Sequence, residues 1–164
     1  NVMDRPPRPV DESLPNMLDL LLIFYLGAIM VAGTLIVYFL ALENGTEAYA
    51  RTMCFSVFIF FQLFNVMNCR SNEDSVFKLG IFSNRTIYLA ILFSISLLLI
   101  AVQGAEWTIP LTTFQIGELL STTPLAREDW FIVILMASTV FMVEEFRKLL
   151  RATGVFRVRT NRRV

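Results

Sequence analysis

The chain has 164 residues, 55% of them hydrophobic, and a mean hydropathy of +0.61. Ordinary soluble domains run at about 45–50% apolar residues even with glycine counted, so a soluble globular domain is excluded, and the length suits one domain. The 14 basic and 14 acidic residues cancel, which gives no sign of a nucleic-acid partner, and the lack of histidine excludes histidine-ligated metals and histidine-based triads.

Residues 1–17 read as a polar loop, because "MDRPPRPVDESLP" holds four prolines and proline breaks a helix interior. The chain starts at Asn1 and shows no signal-peptide pattern, which reads as a cut through a longer protein. A charge-free run then lies between Asp19 and Glu43 and predicts a spanning helix over residues 18–42. Gly27, Ala28, Ala32 and Gly33 lie on it, and small residues four apart allow close helix packing in membranes.

The short loop that follows holds Asn44-Gly45-Thr46, a glycosylation sequon; Asn84-Arg85-Thr86 is another, placed on the opposite side of the membrane. A second helix is predicted over residues 50–69, from the charge-free run between Arg51 and Arg70. It carries Gln62, Asn65 and Asn68. An amide in hydrocarbon needs a partner, so these read as one polar stripe that orients the helix by hydrogen bonds, with Asn68 near the boundary and within reach of water. Cys54 and Cys69 fall near opposite ends of this helix, roughly 22 Å apart, and read as packing residues and not a disulfide.

The next loop mixes charges with Phe77, Leu79, Ile81 and Phe82, which suit an interfacial or docked segment. A third helix is predicted over residues 86–103. The loop after it is the longest, and "LTTFQIGELL" within it suits a short helix on the membrane surface. Trp107 and Trp130 both map to the same interface, as an aromatic belt requires.

The fourth charge-free run, between Asp129 and Glu144, holds only 14 residues and is ambiguous by length. Charge decides. With four spans both termini share one side, which holds twelve basic residues against Arg51 and Arg127 on the other. That asymmetry obeys the positive-inside rule. A fourth span over residues 129–147 is therefore expected, with Glu128 and Asp129 complementing its amino end and Arg147 and Lys148 snorkelling. Glu144 can pair with Arg147 or Lys148. Residues 148–164 form a basic tail that suits anionic lipid or simply fixes topology. The expected fold is all-α: a four-helix transmembrane bundle, integral and multi-pass, with cytosolic N- and C-termini.

Four stretches carry a family resemblance. "NVMDRPPRPVDESL" resembles the cytosolic loop after the sixth membrane helix of calcium-transporting P-type ATPases. "ARTMCFSVFIFFQLFNVMNCRS" resembles their eighth helix, "SVFKLGIFSNR" the following loop, and "DWFIVILMASTVFMVEEFRKLLR" their tenth helix. The order and spacing match along nearly the whole chain, and the likeness is greatest to secretory-pathway and prokaryotic pumps. It implies that residues 1–164 are the C-terminal membrane domain, helices seven to ten, of an ATP-driven pump exporting Ca2+ through an aspartyl-phosphate. The parent would use ATP, Mg2+ and Ca2+; this segment carries no catalytic residues and no cofactor of its own. Its partners would be the rest of the same chain and the lipid bilayer.

The resemblance also places Gln62 where sarcoplasmic-reticulum-type pumps hold a carboxylate ligand for one of two calcium ions. Glutamine offers an oxygen but no charge. Plasma-membrane-type pumps are similar in having glutamine there and move one calcium. Gln62 is then at most a secondary ligand, and one calcium per cycle is expected. The rival readings are an independent four-helix membrane scaffold or subunit, and a P-type pump for Mn2+ or Na+.

Overall fold

The computed structural model describes residues 17–69, 84–108, 117 and 120–152. Four long helices account for most of them: α1 (Met17–Asn44), α2 (Glu47–Asn68), α3 (Arg85–Gln103) and α4 (Arg127–Ala152). The N-terminal loop, most of the stretch resembling the loop before α3, most of the 111–120 surface segment and the basic tail beyond 152 lie outside the described residues.

α2, α3 and α4 each begin where the sequence supplies a cap. Thr46 Oγ1 accepts the amide of Tyr49 at 3.2 Å, and Glu47 stands in the first turn beside the helix's positive end. Glu47 also pairs with the exposed Arg51 one turn on. Together these start α2 at Glu47, three residues before the expected position. Asn84 Oδ1 accepts the amides of Thr86 and Ile87 at 3.1 and 3.4 Å and starts α3 at Arg85. Both capping residues belong to the two sequons; their polar side chains serve the helix ends. At α4, Asp129 reaches back to the amide of Ala126 at 2.8 Å, the acidic half of a capping box. The helix thus opens at Arg127 and runs to Ala152, longer at both ends than expected.

Leu20–Asn44, Glu47–Asn68 and Arg85–Gln103 are long and apolar enough to cross a membrane. At 28 residues, α1 is about 42 Å long, more than the roughly 30 Å of a hydrocarbon core. Charges at both ends keep α4 from qualifying on composition, yet it packs more extensively against α2 than any other pair of helices packs. The core shows why. Val133, Ala137 and Val140 of α4 recur at helical spacing and meet Ala50, Met53, Val57 and Phe61 of α2 and Met30, Val37 and Ala41 of α1 in one buried cluster. Small residues let the backbones approach: a Cβ on Gly33 would stand 2.7 Å from Phe61 Cζ.

Gly45 and Thr46 alone connect α1 to α2, so the two run antiparallel. By contrast, α2 and α4 run in the same direction. Tyr49 bonds Asp129 near their amino ends and Asn68 bonds Lys148 near their carboxyl ends, each pair 80 residues apart in sequence. The two ties are nineteen residues apart on both helices. That is about 28 Å of helix, close to one hydrocarbon thickness. The structure is therefore a helical transmembrane bundle whose central pair is tied near both ends. By comparison α3 is peripheral. Only Leu98 and Val102 are buried along it, and it is anchored through Gln103 Nε2 to Leu125 O at 2.8 Å and through Ala101 O to the Thr122 hydroxyl at 2.7 Å.

Candidate functional site

The three amides of α2 do not lie on one face. Steps of three residues fall short of a full turn by about 60° each, so the direction swings by about 120° from Gln62 to Asn68. The side chain of Gln62 is exposed, turned out of the bundle. Asn65 is half-buried, and its Oδ1 is shielded with no partner among the described residues. Asn68 is only 2% exposed. The expected reach of Asn68 to water is overturned, because the swing points it at α4.

There Asn68 Nδ2 donates to the backbone oxygen of Val140 at 3.3 Å. Its own backbone oxygen accepts from Lys148 Nζ at 3.2 Å, and Lys148 also meets Glu145 Oε1 at 3.3 Å. Lys148 is 1% exposed, which corrects the expectation that it snorkels. Arg147, one position further round the helix, donates from Nε and Nη2 to both carboxylate oxygens of the buried Glu144, at 2.8 and 2.6 Å. The sequence did carry a signal for Lys148. Val133, Ala137, Val140, Glu144 and Lys148 recur every three or four residues, and all five are buried. The change from apolar to charged residues hid the continuity.

The other end of the bundle holds a second polar cluster that sequence reasoning missed. Tyr49 donates to Asp129 Oδ1 at 2.6 Å. Thr52, 1% exposed, donates to Ala48 O at 2.9 Å and accepts the amide of Thr123 at 3.0 Å. These threonines and the tyrosine stand in segments that read as plain loop or helix start, with no spacing to connect them. Trp130 lies at this end and packs edge-on against Phe60, while Trp107 is exposed.

Of the four small residues on α1, Gly33 faces Phe61 and Met136. Ala28 and Ala32 are exposed, and a Cβ on Gly27 would meet nothing within 4 Å. Cys54 and Cys69 are free thiols. Among the described residues no group of three or more acidic or cysteine side chains could hold a metal ion.

A polytopic helical membrane domain is the class that this fold and these ties define. Residues 1–150 match the family model described as the C-terminus of cation transporting ATPases, and the chain belongs to that family. It is 32% identical to calcium-transporting ATPase 1 of Schizosaccharomyces pombe over 98% of this chain and 17% of that protein. It is 30% identical to calcium-transporting ATPase type 2C member 2 of Mus musculus over 91% of this chain and 15% of that protein. With calcium-transporting ATPase 1 of Saccharomyces cerevisiae the figures are 31%, 90% and 15%. The chain spans about a sixth of the length of these relatives.

Proposed function

We propose that this chain is the C-terminal support bundle of an ATP-driven pump whose transported substrate is calcium, exported from the cytosol through an aspartyl-phosphate formed elsewhere in the parent protein. The reading is carried by the similarity to calcium-transporting ATPases along 98% of the chain. ATP and Mg2+ would bind the remainder of the parent, whose ion-binding helices are the partner of this bundle. The exposed Gln62 would stand on the surface of α2 that meets those helices, as a wall residue of the ion path and at most a secondary ligand. Gly27, Ala28 and Ala32, turned out of the bundle, would form the close-approach face for the same helices. Both termini would be cytosolic, since that side then carries twelve of the fourteen basic residues. The basic tail would lie against anionic lipid there.

The test is ion transport by the full-length protein in sealed vesicles, offered calcium, manganese or sodium. ATP-dependent calcium uptake at one ion per ATP, weakened modestly by Gln62→Ala, is expected. Uptake of sodium or manganese with none of calcium overturns the substrate. Two calcium ions per ATP, falling to one in Gln62→Ala, overturns the minor role of Gln62.

A further inference from the structure

We propose that Lys148 is a positioning residue for the ion path: it fixes the height and rotation of the carboxyl end of α2 against α4, and so sets where Gln62 stands. The inference rests on the reading of Gln62 given above.

The argument begins with an unmet need at the end of α2. The last carbonyls of a helix have no donor within the helix and carry the negative end of its dipole. A basic side chain in the last turn can answer this, but α2 has none there. The cation comes from another helix: Lys148 Nζ donates to Asn68 O at 3.2 Å. Burying an ammonium is expensive, and a leucine or methionine of similar length would pack there without that penalty. The charge is tolerated because three things offset it: the helix end, Glu145 Oε1 at 3.3 Å, and a place near the edge of the apolar layer.

The bond is directional where apolar packing is not. Val57 and Phe61 of α2 share one buried cluster with Val133, Ala137 and Val140 of α4, and apolar packing of this kind singles out no particular carbonyl of α2. A bond to one backbone oxygen, supported by Asn68 Nδ2 on Val140 O at 3.3 Å, does select one rotation and height of that helix end. Gln62 stands six residues before Asn68, about 9 Å along the same helix. No proline or glycine lies between them to absorb a rotation. A turn of the carboxyl end is therefore passed to Gln62.

The experiment measures calcium-dependent ATPase activity of the full-length protein in membranes, for wild type, Lys148→Met, Lys148→Gln, Lys148→Arg and each in a Gln62→Ala background. Lys148→Met is expected to raise the calcium concentration for half-maximal activity at least threefold, with saturating turnover within twofold of wild type. Lys148→Arg, which keeps a charged donor, recovers most of the affinity. In the Gln62→Ala background the Lys148→Met shift shrinks to less than half. An unchanged calcium response in Lys148→Met overturns the proposal, as does an equal shift with and without Gln62. Should neither Lys148→Met nor Lys148→Gln fold while Lys148→Arg does, the role is stability alone and the proposal fails. A wild-type protein with no calcium response overturns the parent reading itself, a result distinct from the other three.

Discussion

The hydroxyl of Tyr49 donates to Asp129 Oδ1 at 2.6 Å and joins the first turns of two helices that run side by side. Asp129 does two things at once, because its other oxygen accepts the Ala126 amide at 2.8 Å. The same carboxylate therefore starts α4 and fastens it to α2. At 9% exposure it is shielded enough for both bonds to count.

A ranking follows for the stability of the detergent-solubilised protein. Tyr49→Phe removes one bond to a charged acceptor and should cost about 1–2 kcal/mol. Asp129→Ala removes both bonds and leaves the Tyr49 hydroxyl and the Ala126 amide unpaired, for about 2–4 kcal/mol. Asp129→Asn should fall between them, since its amide oxygen can keep one bond. Thermal unfolding checks the order. Equal effects for Tyr49→Phe and Asp129→Ala would show that the cap contributes nothing.

Thr52 offers a cleaner comparison. Its hydroxyl holds the amide of Thr123 at 3.0 Å, in the segment that leads into α4. Thr52→Val keeps the shape but strands that amide inside the bundle, at about 1–3 kcal/mol. Thr52→Ser keeps the hydroxyl and loses only a methyl group, about 1 kcal/mol. The melting temperature should therefore fall further for valine than for serine, against the order of hydrophobicity.

How much of this was legible in the sequence depended on the kind of signal. The spans of α1, α2 and α3 follow from charge-free runs, because hydrocarbon rejects charge along a whole segment. α4 was reached only through the charge balance of the entire chain, since its own apolar run is short. Helix starts lie up to three residues earlier than the charge-free runs imply, because the side chains of Thr46 and Asn84 close helix ends. The splitting of Gln62, Asn65 and Asn68 onto different faces is implicit in their spacing. Which face was the inner one depended on α4, whose contact with α2 joins residues about 80 apart. The burial of Lys148 is illegible for the same reason: snorkelling is the rule for a lysine at a helix end, and the helix end that it caps belongs to another segment.

Ser56 should be nearly free to change. Its hydroxyl is fully buried between helices, with no hydrogen-bond partner among the described residues. An unpaired buried hydroxyl disfavours the folded state, and alanine removes it at the loss of little volume. Ser56→Ala is expected to leave the stability unchanged or to raise it, by up to about 1 kcal/mol, as read from thermal unfolding. A drop larger than that would mean that the hydroxyl has a partner.

Gly33 and Gly27 sit on one helix and should respond in opposite ways. A Cβ at Gly33 would stand 2.7 Å from Phe61 Cζ, 3.1 Å from Cε2 and 3.4 Å from Met136 Sδ. Phe61 is fully buried and has nowhere to withdraw, so α1 and α2 must part. Overpacking of this kind costs about 1–3 kcal/mol, which outweighs the roughly 1 kcal/mol that alanine contributes as a better helix former. Gly33→Ala should therefore lower stability by about 1 kcal/mol. At Gly27 a Cβ meets nothing within 4 Å, so Gly27→Ala keeps only the helix-forming gain. The larger Gly27→Leu then probes the outward face of α1. In the four-helix domain expressed alone it should match Gly27→Ala in stability. In the full-length protein, where other membrane helices are proposed to pack closely on Gly27, Ala28 and Ala32, it should lower stability by at least 1 kcal/mol. Equal tolerance in both settings would place lipid, and no helix of the parent, against that face.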